Sequence, residues 1–332
     1  MSAQNAPTGS RLAAARRHRR AAAAAVAGAG GAAVLAMSLS GLLSASAATA
    51  AVQTNCTATP SSCGYPDATN TGVPPGTSLR TVPGQVSSGT GWSYSATTQQ
   101  VNVTGNGAVL SGLSFSTHVN ITASNVTMNN DKVVTGGTYG ITTQHAVNAT
   151  IENSTVSGLN KTSGRVSYAI DDLYSDATGL VIKNNNVADW RIGVNVAGGQ
   201  VTGNYIHDPG YISGDHTDGF YDNGGTMPLT VNDNTILDSL SEVDAIFLSS
   251  NAGHAISNKT ITNNLLGGGG YALYAGGGYS LSTNIVIQDN RFSQLYYPIS
   301  GQYGPDTLYQ PGGTGNSWSG NIWDNTGGGV SP

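Results

Sequence analysis

Apolar residues recur along this chain in short blocks that share one spelling: apolar, any residue, Asn/Asp/Gly, Asn, any residue, apolar. The blocks are residues 182–187, 201–206, 231–236, 261–266, 287–292 and 318–323, with weaker copies starting at 128 and 151. Successive starts lie 19 to 31 residues apart. A second short register sits inside each repeat, with a Gly, Ala or Pro followed by an apolar residue. It occupies 139–143, 168–172, 192–196, 218–222, 244–248, 271–275 and 297–301. No stretch holds a 3.6-residue apolar period, so the elements predicted are short strands rather than helices.

A repeat of this kind is one coil, too small to bury its own apolar face. Stacked coils share a continuous core and pair their backbones at about 4.8 Å. Asparagine suits the bend of each coil, because the left-handed conformation costs it little and stacked amides can bond from coil to coil. Constant strands with variable spacing mean variable loops on a constant core. A propeller would need a regular repeat near forty residues, and a leucine-rich repeat more leucine. The fold class expected is all-β, a single-stranded right-handed parallel β-helix, with Val201, Val231 and Ile261 in one inward ladder.

Residues 1–47 read as a secretory signal peptide. Arg11, Arg16, Arg17, Arg19 and Arg20 precede an apolar run, and two small-x-small sites put cleavage near 47–50. Gly28, Gly30, Gly31 and Gly41 interrupt the run, which argues against a membrane anchor. The arginine pairs leave general and twin-arginine export both open. The expectation is a secreted, extracellular bacterial protein with no membrane association after cleavage. Residues 48–99 are assigned to an N-terminal cap and first coil, with the Pro- and Gly-rich 54–78 closing that end. The β-helix spans 100–325 and a C-terminal tail 326–332. Cys56 and Cys63 are expected to form one disulfide pinning the N-terminal end.

Export changes the charge. The leader carries five of the 13 Lys+Arg and none of the 18 Asp+Glu, so the mature chain has a net charge of −10. That excludes the basic footprint of a nucleic-acid binder. A monomer is expected.

Stacking turns sequence columns into spatial clusters. The first position of the second register reads Tyr139, Tyr168, Ile192, Asp218, Asp244, Tyr271, Tyr297. Asp218 and Asp244 fall on adjacent coils, and stacked carboxyls raise each other's pKa, which gives the acid and base of glycosidic cleavage. His216, Asp215 and Asp222 crowd Asp218; His216 joins the catalytic candidates and the other two the substrate contacts. Strict alternation would instead turn Asp218 and Asp244 inward as caps of turn amides, unless the backbone bends there. The fourth position includes Asp171, Tyr221, Phe247 and Tyr274, and stacked rings suit the apolar faces of sugars. A plain aromatic ladder stabilising the sheet reads equally from these residues. Asp171, Asp172 and Asp222 could hold Ca²⁺ or be solvated turn residues.

These residues resemble the pectin-lyase-like β-helix superfamily over roughly residues 100–325. Within it, Thr217-Asp218-Gly219-Phe220 and Asp244-Ala245-Ile246 look like polygalacturonase-type glycoside hydrolases, where aspartates at these strand starts belong to the catalytic set. The sequence departs from that pattern at Val243, where the family has a second aspartate, and at Gly270-Tyr271-Ala272, where it has Gly-His-Gly. An Arg-x-Lys motif is missing near Tyr297. The resemblance therefore implies the fold and not a galacturonan substrate. Residues 65–76 and 320–324 are similar to secreted actinobacterial β-helix repeat proteins.

Three functions compete, all with a polysaccharide as partner. A glycoside hydrolase acting on an acidic or other plant or microbial polysaccharide would use Asp218 and Asp244 and need no cofactor. A polysaccharide lyase would need a base, with Arg191 the candidate, and Ca²⁺ to neutralise a uronate. A non-catalytic glycan-binding or cell-surface β-helix needs neither.

Overall fold

A computed structural model describes residues 55–241, 243–250, 255–278 and 281–332. The signal peptide assigned to 1–47 and its cleavage site near 47–50 lie outside the described residues. The described chain is almost entirely β, with two short 3₁₀ turns at Cys56–Ala58 and Pro60–Cys63. Among the described residues no helix is long and apolar enough to cross a membrane.

The strands form three sheets of ten, eleven and nine strands, called A, B and C here. From Val109–Ser111 onward the chain visits C, then A, then B, and returns to C one strand further along. Among the described residues the strand-to-strand pairings in this region are parallel and join each coil to the next, the arrangement of a parallel β-helix. Val201, Val231 and Ile261 are register partners and fully buried, as the repeat predicted. Sheets A, B and C turn their apolar columns to one shared core. The first end closes differently. Ser88–Gly89, Trp92–Ser95 and Gln100–Val103 pair antiparallel, and Trp92 packs on the core beneath them. At the other end Val330 folds back into the core and its carbonyl accepts from Trp318 Nε1 at 2.7 Å.

The asparagine repeat divides two roles that the sequence reading gave to one residue. The third position of each repeat takes the left-handed conformation, with φ of 54° at Asn184, 57° at Asp233 and 51° at Asn263. The fourth position is a buried ladder. Asn204, Asn234, Asn264 and Asn290 each donate Nδ2 to the next rung and to an inner strand carbonyl, at 2.8 to 3.0 Å. Each rung's Oδ1 also accepts a backbone N–H from its neighbour, so the side chains of these four rungs are satisfied without water.

Cys56 and Cys63 are bonded, yet their place corrects the expectation that residues 54–78 close the N-terminal end. Cys56 and Thr57 amides donate to Asp324 in the last coil, both at 3.0 Å. Tyr65 Oη then reaches Asn263, Gly72 N donates to Asn184 O, Val73 N to Thr155, and Arg80 N to Gly112 O. The segment is a strap that starts on the final coils and crosses the stack to the first. Its apolar residues Cys56 and Tyr65 cover Leu265 on the outer side of sheet A. The disulfide therefore fixes the strap beside the C-terminal coils.

Candidate functional site

Sheet B carries the second register as predicted from Tyr139 to Ala275, but the seventh copy, 297–301, falls outside it: the intervening loop runs on and Tyr271 pairs with Gly304 instead of Tyr297. Tyr139, Tyr168, Ile192, Asp218, Asp244 and Tyr271 are successive partners in its first column. The third column, from Ile141 through Phe220 and Ile246 to Leu273, is fully buried core. The second position makes no register pair in these strands; the ladder passes from first to third. It also faces the core. A Cβ on Gly219 would come within 2.4 Å of Ile236 Cγ2, and one on Gly193 within 2.6 Å of Ile206 Cγ2. Two consecutive inward positions break strict alternation, so each strand bends there, and only Gly or Ala fits.

That bend decides which side the aspartates take. The first position comes to the outer side, together with the fourth. Tyr271 and Tyr274, first and fourth in one strand, meet edge to face at 5.5 Å. The charges of Asp244 and Asp218 both act on Tyr274, whose hydroxyl pKa is raised by burial, Asp244, Tyr271 and Asp218, in that order. Asp218 and Asp244 share a face with the aromatic column. In that column Tyr221 stacks on Phe247 at 5.1 Å, and Phe247 lies 4.9 Å from Tyr274. All three rings are half-buried.

The carboxyls themselves are nearly sealed, Asp218 at 2% exposure and Asp244 at 0%. Asp218 Oδ1 and Asp244 Oδ2 have no hydrogen-bond partner. Asp244 Oδ1 accepts from Tyr271 N at 3.2 Å. Burial pushes Asp218 up to about 8, against the opposing charge of Arg191. Asp244 is also held well above the carboxylate range, by burial first and then by the charge of Asp218. A third acid, Asp238, was not singled out in the sequence. It lies at the end of the sheet A strand Thr235–Asp238, fully buried. Burial raises it too, Leu240 N donates to its Oδ1, and its charge adds to that of Asp218 on Asp244. An aspartate closing an apolar strand in so sparsely charged a chain was the available signal.

The other candidates scatter. Asp171 lies in the fourth column and accepts from Asn195 Nδ2. Burial raises it to about 6, Asn195 opposes, and Asp172 adds to the rise. Asp172 and Asp222 occupy the fifth position, which alternation after the bend turns inward. Asp172 caps the following turn by accepting from Ala177 N at 3.1 Å. Asp222 is fully buried and pairs with Lys259, itself fully buried, at 3.4 Å. Asp172 and Asp222, both expected among the substrate contacts, are thus fully buried on the inner side rather than on the outer face. Among the described residues no group of three His, Cys, Asp or Glu has the geometry to hold a metal ion. Asp215 is bound by the Arg165 guanidinium through Nε and Nη2 and accepts from Ile212 N, so it fixes the preceding loop rather than tuning Asp218. His216 is exposed, and among the described residues no hydrogen bond joins it to Asp218 or Asp244. Arg191 is placed on the site: its guanidinium carbon lies 4.7 Å from the centre of the Tyr168 ring, and its charge reaches Asp218.

The fold and site define an all-β stack of parallel coils with a carboxyl cluster beside stacked rings on one outer face. No protein-family model matches the chain, and no curated protein is similar to it in sequence. The functional reading therefore stands on the residues.

Proposed function

We propose that the protein is an exported right-handed β-helix of the pectin-lyase-like kind, which binds a polysaccharide along the outer face of sheet B and hydrolyses it at Asp218 and Asp244. The observation that supports this most is the juxtaposition of these two carboxyls, on adjacent coils, with the column Tyr221, Phe247, Tyr274 on one face. Sugar rings present apolar C–H faces that stack on aromatic side chains, and hydroxyls that bond carboxyls.

Asp218, kept protonated at neutral pH, is the general acid in this reading and donates to the glycosidic oxygen. Asp244 must then lose its proton to serve as base or nucleophile. Coupled acids release protons in steps that belong to the set. One proton leaves and the remaining acids share what is left, which is the state hydrolysis needs. Because burial raises all three, the pH optimum is expected above that of an ordinary carboxylate pair.

The near-complete cover of both carboxyls favours a second reading, binding without cleavage. One experiment separates the two. The mature chain is incubated with neutral and acidic plant and microbial polysaccharides, and new reducing ends and ultraviolet absorbance are followed. Reducing ends without unsaturation, abolished by Asp218→Asn and by Asp244→Asn, are the expected result. Retention of full activity in Asp218→Asn removes the catalytic assignment, and binding with no cleavage leaves the second reading. A rise in absorbance would mark a lyase instead.

A further inference from the structure

Three coils before the acids, the same face opens into a cleft of about 500 Å³. Tyr94, Gln99, Thr117, His118, Thr138 and Tyr139 are among its walls, and no Asp, Glu, Lys or Arg lines it. His118 is fixed by a 2.8 Å contact between Nε2 and Thr142 Oγ1, and that hydroxyl donates to Asn120 Oδ1 at 2.9 Å. Burial drops the imidazole pKa to about 4, so it is neutral at physiological pH. From the cleft, aromatic rings lead toward the acids one coil at a time. His118 lies 5.6 Å from Tyr139, Tyr139 5.8 Å from Tyr168, and Arg191 covers Tyr168. The next partners in that column are Ile192 and Asp218.

We propose that this cleft is a second sugar-binding subsite and that the polymer lying across it and the acid cluster is an uncharged glycan. The inference rests on the reading of sheet B as a glycan face and names the substrate class. Tyr139 and Asp218 are separated by three strand spacings, roughly 14 Å at about 4.8 Å each. A β-linked hexose chain advances by a similar distance per ring, so one ring lies over each coil. A polyuronate would carry a carboxylate on every ring, and each would need a cation to replace its lost water. The outer columns of this face and the residues flanking them offer Arg191 alone, already held over Tyr168, while Arg165 is bound to Asp215 and Lys259 is turned into the core. The same face carries Asp171, whose carboxyl burial raises only to about 6, so at pH 7 it is largely ionised and would repel a uronate. Neutral hydroxyls meet no such penalty, and the amides and hydroxyls of the cleft pair with them.

The test uses the mature chain carrying Asp218→Asn, which blocks cleavage by the proposed acid, and titration calorimetry at pH 7. The probes are cellohexaose, xylohexaose, mannohexaose and hexagalacturonate. At least one neutral hexamer is expected to bind, and hexagalacturonate to bind at least tenfold more weakly. Tyr139→Ala and Thr138→Trp, added separately, should each weaken the neutral hexamer about tenfold; Thr138 is exposed, so its variant gives the answer should Tyr139→Ala fail to fold. Equal or tighter binding of hexagalacturonate, binding of none of the four, or indifference to both cleft variants would overturn the inference. Neutral binding without cleavage by the unmodified chain sinks the hydrolase reading and leaves this one standing. Cleavage of polygalacturonate by that chain does the reverse.

Discussion

Asp218→Asn should stabilise the protein, and increasingly so as the pH rises. The folded pKa of Asp218 is about 8, against 3.8 for the unconstrained side chain. Between those values the folded state holds a proton that the unfolded state has released. Stability from this group is therefore complete below pH 3.8 and lost progressively as pH rises to about 8, beyond which it is flat. Asparagine matches the shape of the protonated acid and does not titrate. At pH 4 the two proteins should melt together. At pH 7 the unfolded aspartate is ionised by about 3.2 units of pH, so the variant gains roughly 4 kcal/mol. Water entering around the charge lowers the cost of ionisation, so this is a ceiling. For a chain of this size that is about 7 °C in Tm. Thermal melts of both proteins at pH 4, 6 and 8 read it directly. A difference that does not change with pH, or a variant that melts lower at pH 7, would refute the buried neutral acid and return Asp218 to a capping role.

The Asn ladder and the buried ion pair give two further expectations. Asn234→Ala removes donors to Val201 O, Asn232 O and Asn264 Oδ1 and the acceptor for Asn204, and should cost about 2–4 kcal/mol in urea melts; a loss under 1 kcal/mol would show that water replaces the rung. Asp222→Asn leaves the Lys259 ammonium buried without its counter-charge and should cost about 3–5 kcal/mol, whereas Asp222→Leu with Lys259→Met should recover most of it; equal damage in single and double variants would mean the side chains matter for shape alone. Replacing Cys56 and Cys63 by serine opens a loop of sequence separation 7 and should cost about 2 kcal/mol, with hydrogen exchange rising first in the strap around residues 55–72; protection unchanged there would argue against the strap being held by that bond.

Columns were legible because a stack of coils preserves register whatever the loops do. The first, third and fourth sheet B columns aligned from sequence between Tyr139 and Tyr274 are paired as expected. The strap was misplaced for a physical reason: a Pro- and Gly-rich segment without apolar period carries no signal of the face it covers. Tyr65 packs on Leu265 two hundred residues away in sequence. The Asp222–Lys259 pair left more of a trace. Lys259 stands two residues before inward Ile261, and period two places it in the core, where an ammonium requires an acid.

What sequence alternation alone could not supply was the parity of the sheet B strands. A single small residue resets it. With Gly219 turned inward, Asp218 and Tyr221 share the outer side, and Phe220 and Asp222 the inner. Two aspartates four positions apart in one strand thus meet opposite fates. Asp222 lies 3.4 Å from a buried lysine, whose charge opposes the burial that raises it to about 7. Asp218 finds no hydrogen-bond partner for Oδ1, with the charge of Arg191 the one opposing influence, and burial protonates it. Had alternation run unbroken, the first, third and fifth positions would all face inward and both acids would crowd one core. The Gly or Ala before each apolar residue is therefore the feature that brings a protonated carboxyl out beside the aromatic column. Its size, more than the aspartate itself, makes a site possible on this face.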